Sequence, residues 1–296
     1  MIAAAKANDT MTSTRIVTDS SAYLRPELIA RYQITVLPIE IRFGGERFVV
    51  DSAVSQSPRR VFERMSGSPA KPTEALFAPD VFPEAFERLS HTTEDILVIL
   101  SSGRLSNGVV RAQTAARAYM GRCRIAVMDS LSSSWGLALA VETAARAAEA
   151  GVPLDGIVRL VRALLPHIYT VFMVERLDYL EEKNRIGAAQ ALLGSMLRIK
   201  PILLVEDGDV VPMEKVRTRA AALEKLADFV GEFAMAERVV IVRSPLEDSM
   251  DEMVGDLRRL LGEVLPRRHF PVIEYDPVLA CHVGPQALGV IVFEKP

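Results

Sequence analysis

The sequence predicts an α/β protein of two domains: an N-terminal parallel sheet with helices on both faces, then a C-terminal α+β domain. Three observations predict it. First, the early part of the chain runs an apolar strand into a hydroxyl-rich turn and then a helix three times, at Arg15 to Ala22, Ile96 to Ser106 and Ile125 to Gly136. Such repetition of β and α units is the mark of a parallel sheet with helical crossovers. Second, the later part contains strand pairs joined by tight-turn signals, which implies antiparallel pairing. Third, 296 residues are many for one hydrophobic core. The expected division is 12–166 and 167–296, with residues 1–11 as a disordered tail.

The elements follow in order. Arg15 to Thr18 reads as a strand and Pro26 to Tyr32 as a helix, with Pro in a favoured first-turn position. Ile34 to Phe43 is β-rich, and Gly44-Gly45 turns it back into Glu46 to Val50. The polar stretch Ser52 to Ala78 holds one short helix, SPRRVFERM. Next come a helix near Pro79 to Leu89, a strand at Ile96 to Leu100, and a helix from Ser106 to Met120. A strand at Ile125 to Met128 leads into an Ala-rich helix from Ser134 to Ala150 and a further helix ending at Pro166. Beyond it, Tyr169 to Glu175 is a strand and Leu177 to Leu197 is largely helical. Pro201 to Val205 and Val210 to Lys215 flank the turn Asp207-Gly208-Asp209. Apolar spacing gives a helix from Arg217 to Ala236. The last elements are the strand RVVIVRS, the helix LEDSMDEMVGDLRRLLG, the strand FPVIEY and the closing strand ALGVIVFE, with His282 in a Gly-Pro turn before it.

Composition narrows the function. A net charge of −3 with dispersed Lys and Arg gives no footprint for nucleic acid. Two distant cysteines, Cys123 and Cys281, suggest neither a disulfide framework nor a metal site, and the cytoplasm is the expected compartment. No apolar run approaches the ~20 residues of a membrane span. There is no P-loop, no G-x-G-x-x-G after the first strand and no G-x-S-x-G elbow. His91, His167, His269 and His282 lack metal-ligand spacing. These absences argue against the commonest enzyme classes and imply no cofactor.

What remains is the serine clusters. In a parallel sheet all strand carboxyl ends lie on one edge, beside helix N-termini, where such folds bind ligands. Ser20, Ser101, Ser106 and Ser130 fall on that edge. Each is explicable alone as a helix cap, but a cap needs one hydroxyl and these segments carry two or more. They suggest a site for a small anionic group held by neutral hydroxyls and backbone N–H groups.

From Arg15 to Phe293 the chain resembles the DegV family of fatty-acid-binding proteins. The resemblance rests on TDSSAYL (18–24), SSGRLSNG (101–108), DSLSSSWGLA (129–138), LDYLEEKNRIGAAQALLGSMLRIKPIL (177–203), EKVRTRAAALEKL (214–226) and CHVGPQALG (281–289). It implies a DegV-like fold with a long-chain fatty acid in an apolar tunnel between the domains. The carboxylate is then held by hydroxyls and presented to the ATP-binding subunit of a fatty-acid kinase. The protein itself is then a lipid-binding component rather than an enzyme, with transient membrane contact at most. By that resemblance Ser106 matches the serine of the family's L-S-G-T motif, Arg185 the arginine of G-G-R-I, and His282 the histidine before Gly-Pro. Departures stand where the family carries T-S-Q-P, here Glu74-Ala75-Leu76-Phe77: either the head-group threonine is lost, or Thr73, one position earlier, replaces it. The family's L-S-G-T-Y becomes Leu105-Ser106-Asn107-Gly108-Val109. The alternative reading is a divergent relative that binds another small ligand or lipid, or an enzyme using Arg185 and His282.

Overall fold

The computed structural model of the chain describes residues 14–51, 57–67, 71–72, 74–175, 179, 199–246 and 249–295. The expected tail at 1–11, most of the helical block at 177–197, Thr73 and Arg185 lie outside the described residues.

Strands β1 (Arg15–Asp19), β2 (Thr35–Leu37), β6 (Asp95–Leu100) and β7 (Arg124–Asp129) form a wholly parallel sheet in the order β2-β1-β6-β7. Its strands are apolar on both faces, as a doubly covered sheet requires. Val17, Ile96, Val98 and Leu100 join the cluster that includes Phe82 and Phe86 of α3 (Val81–Ser90) and Ala112 of α4 (Gly108–Ala116). Their neighbours Ile16, Leu97 and Ile99 pack on the other side, with α5 (Ser134–Glu149) and α6 (Leu154–Leu164). The period of two in each strand thus serves two cores. Before α3, the strands β3 (Ile39–Phe43), β4 (Glu46–Val50) and β5 (Glu74–Leu76) make a small antiparallel sheet with β3 central. The hairpin was legible in Gly44-Gly45; β5, only three residues long, was not.

The second sheet has six strands in the order β10-β9-β8-β13-β11-β12: β8 (Ile168–Val174), β9 (Lys200–Glu206), β10 (Asp209–Val216), β11 (Ala236–Arg243), β12 (Val272–Glu274) and β13 (Ala287–Glu294). All its pairings are antiparallel except β11 with β12. Asp207 and Gly208 both adopt left-handed backbone, φ 47° and 79°, as a two-residue hairpin turn demands. Helices α7 (Arg219–Gly231) and α8 (Ser249–Val264) cover one face, over Val171, Met173, Leu288, Val290 and Val292. The other face turns toward the first half. Phe172, Val174, Leu203 and Val210 enter the same apolar cluster as Phe77, Phe82 and Leu105.

Three expectations are corrected. The helix after the second serine cluster begins at Gly108, two residues past Ser106. The helix placed at 217–236 ends at Gly231, because Ala236 already belongs to β11. His282 does not sit in a turn: it lies in the last turn of a helix, α9 (Pro277–Val283), which Gly284 terminates at φ 87°. A short 3-10 turn, Leu165–His167, links α6 to β8, and among the described residues the two large sheets share no ladder.

Candidate functional site

The parallel sheet ends on one edge in Asp19, Leu37, Leu100 and Asp129, so the serine clusters begin where β1, β6 and β7 stop. The Asp19 carboxylate joins two of these ends. It accepts from the Ser21 N–H at 2.9 Å, from the Ser21 hydroxyl, and from the Ser101 N–H at 2.7 Å. A fully buried carboxylate is costly without such donors. Burial pushes the Asp19 carboxyl above its ordinary range, and the bonds from Ser21 and Ser101 oppose that shift.

Beyond β6 the chain folds back on itself. The Leu105 and Ser106 N–H groups both bond the Ser102 carbonyl, at 2.9 and 3.1 Å. This brings the Ser106 hydroxyl to 3.4 Å from that of Ser101. Ser106 also accepts from the Gly108 N–H at 3.3 Å, beneath the start of α4. His282, buried in the second half, reaches across to place Nε2 3.0 Å from the Leu105 carbonyl. Ser101, Ser106 and His282 are therefore brought to one place, from both halves of the chain. The Ser20 hydroxyl is buried without a partner among the described residues, as are those of Thr18 and Ser134. Ser130 is not presented in the same way. Its hydroxyl donates to the Ser132 carbonyl at 3.1 Å and accepts from the Ser132 N–H at 3.2 Å, a local turn. Thr73 and Arg185 lie outside the described residues; so does the side chain of Glu74, whose backbone pairs with Arg42.

Three polar residues of this region were missed by the sequence reading. Asp276 is fully buried and caps α9, accepting from the N–H groups of Val278 at 2.9 Å and Leu279 at 3.0 Å. Its other oxygen accepts from the Ser133 hydroxyl of the first half at 2.9 Å. Burial pushes the Asp276 carboxyl up to about 7; the bonds from Leu279 and Ser133 pull it down, and the nearby Asp19 pushes it up further. Tyr23, in left-handed backbone at φ 51°, has its hydroxyl pushed up by burial first and by Glu274 and Asp276 next. The available signal was Asp276-Pro277, a cap residue before a first-turn proline.

The surroundings are apolar. Leu105, Val109, Phe77, Phe172, Val174 and Tyr179 belong to one buried cluster shared by both halves. The arrangement gathers hydroxyls and an imidazole beside hydrocarbon, which suits an amphipathic molecule with a small oxygen-bearing head. A separate groove of about 580 Å³, walled by Val127, Leu131, Leu165, Ile168 and Leu204, contains none of these polar residues. Among the described residues no group of three or more His, Cys, Asp or Glu is gathered to hold a metal ion, and no helix is long and apolar enough to cross a membrane.

The model of the DegV family matches residues 13–295. A DegV domain-containing protein of Deinococcus radiodurans is 32% identical over 281 residues, covering 94% of this chain and 97% of its own. Another, of Streptomyces coelicolor, is 32% identical over 283 residues, covering 95% and 98%. Among solved structures, a DegV family protein from Thermus thermophilus, described for its fatty-acid binding, superposes with a TM-score of 0.80 at 26% identity, over 96% of this chain and 100% of its own. A DegV family protein of Streptococcus agalactiae shares the fold at a TM-score of 0.82 and 22% identity, over 96% and 100%.

Proposed function

The chain belongs to the DegV family, and from that premise we propose that it holds a long-chain fatty acid between its two halves, carboxylate toward Ser101, Ser106 and His282. The observation that carries this reading is the meeting of those three residues beside an apolar cluster built by both halves. The fatty-acid binding described for the Thermus thermophilus relative supports it. The energetics agree. Each methylene withdrawn from water contributes about 0.8 kcal/mol, and a buried carboxylate needs several donors. Ser20, whose hydroxyl has no partner among the described residues, supplies a further donor at the same sheet edge. Arg185 completes the proposed site on the strength of the family pattern, and Thr73 as the substitute one position before the family's threonine.

The finer part of the proposal is that the protein works in the cytoplasm, is not itself an enzyme, and presents the bound acid to a fatty-acid kinase subunit that forms the acyl phosphate. Native mass spectrometry and fatty-acid titration test the binding. Ser106→Ala and Thr73→Ala should each weaken affinity by about 1.5–3 kcal/mol, the value of a hydrogen bond to a charged group, while Glu74→Ala stays near neutral. A folded, unmutated protein that neither carries nor takes up a fatty acid would refute the reading. Acyl phosphate formed from the loaded protein, ATP and a kinase subunit, and absent without this chain, tests the presentation step.

A further inference from the structure

Helix α9 has only seven residues, and the first half of the molecule grips it at both ends. At its N-terminus Asp276 accepts the Ser133 hydroxyl at 2.9 Å; in its last turn His282 meets the Leu105 carbonyl at 3.0 Å. A helix this short does not hold its own shape in water. Its orientation is set by the packing around it and by these end contacts. Ser133 occupies the N-cap position of α5, yet its side chain makes no capping bond there. Capping is what a serine in that place ordinarily does. Here the hydroxyl reaches the other half of the chain instead, and the bond is out of water, with Ser133 6% and Asp276 0% exposed.

We infer that the Ser133–Asp276 bond is a positioning device for the head-group site: it fixes the tilt of α9 and thereby the place of the His282 ring beside Leu105, Ser101 and Ser106. Seven residues of helix span about 10 Å, so a tilt admitted at one end is delivered at the other. The two anchoring loops leave neighbouring strands, β7 and β6, on the same sheet edge. Asp276 acts through the helix rather than on a ligand, since both its oxygens are already engaged by three donors. The consequence for affinity rests on the fatty-acid reading; the consequence for His282 does not.

Ser133→Ala removes this bond and no cap. Ser133→Thr retains the hydroxyl. Ser133→Cys, nearly isosteric with a weaker donor, carries the test should the alanine variant fail to fold. Two quantities are read: the ¹H–¹⁵N resonances of the His282 ring in the ligand-free protein, assigned with His282→Gln, and the affinity for palmitate. Ser133→Ala should shift the ring resonances and weaken palmitate about tenfold; Ser133→Cys should do so by less, and Ser133→Thr should restore both. His282 resonances unmoved in folded Ser133→Ala overturn the inference, whether or not the unmutated protein binds palmitate. Shifted resonances with unchanged palmitate affinity overturn the link to the site. Shifted resonances in a protein that takes up no palmitate at all uphold the positioning and sink the fatty-acid reading alone.

Discussion

Asp276 is a carboxylate held by three donors and shielded from water. Its folded carboxyl is raised from an ordinary 3.8 to about 7, with burial the largest cause. The sign of the effect on stability follows. Between those values the folded chain keeps the proton and the unfolded chain has lost it. Stability from this group is therefore full at low pH and is lost as pH rises through about 7. The loss is on the order of 4 kcal/mol, from about 1.4 kcal/mol per pH unit over the interval between the two values. Asp276→Asn keeps a capping oxygen and a partner for Ser133 but cannot ionise. Urea unfolding measured from pH 4 to 8 should show a flatter stability curve for this variant, and parallel curves would refute the assignment. At this scale the serines of the sequence prove unequal. Ser101 and Ser106 meet, Ser20 has no partner among the described residues, and Ser130 closes its own turn, while Ser133 bonds across to a residue 143 positions away.

Helix α4 shows how one element is fitted to its neighbour. A Cβ on Gly108 would lie 2.5 Å from Cε2 of Phe77, closer than side chains tolerate. The Phe77 ring is fixed in turn by Phe82, with centroids 4.9 Å apart, so it cannot simply swing away. The Phe77 ring therefore fills the space that Gly108 leaves. Gly108→Ala should destabilise the protein by about 1–3 kcal/mol through overpacking. Phe77→Leu in the same chain should recover part of that loss. A double-mutant cycle by urea unfolding checks it, and strict additivity of the two changes would show that the ring and the glycine are not coupled.

At the scale of the whole molecule, the two sheets share a core. One buried cluster contains Val17 and Leu100 of the first sheet with Phe172 and Leu203 of the second. The tip of the β9–β10 hairpin docks on the first half, where the Ser102 hydroxyl donates to the Gly208 carbonyl at 2.6 Å. A side chain at Gly208 would strike that hydroxyl at 2.3 Å. The chain's one tryptophan, Trp135 at the start of α5, packs against Val240, Val242 and Ile291 of the second sheet and so reports on the contact between halves. Unfolding by urea should therefore be a single transition, coincident by Trp135 fluorescence and by far-ultraviolet circular dichroism. A fluorescence change that precedes the loss of secondary structure would mean that the halves separate first.

The sequence by itself determined the parallel order of the first half, because repeated apolar strands entering hydroxyl-rich turns and helices leave few other solutions. It also determined the β9–β10 turn, since Asp-Gly supplies the left-handed backbone that such a turn requires, and it put the serines of three loops on one sheet edge. The turn is local, set by adjacent residues; the sheet and its edge follow from a repeated strand-to-helix pattern that admits few topologies. Helix α9 escaped, because seven residues before a Gly-Pro pair, apolar but for His282, carry no periodicity long enough to read. The end of α7 escaped as well, because pairing of β11 with β13 claims Ala236 for the sheet. Only the tertiary structure decided which hydroxyls meet and that His282 bonds the Leu105 carbonyl next to Ser106. Only it showed that Asp19 and Asp276 are buried carboxylates and that Ser133 serves the opposite half. Each of these depends on a bond between residues far apart in the chain, and such bonds exist only after the two sheets have packed.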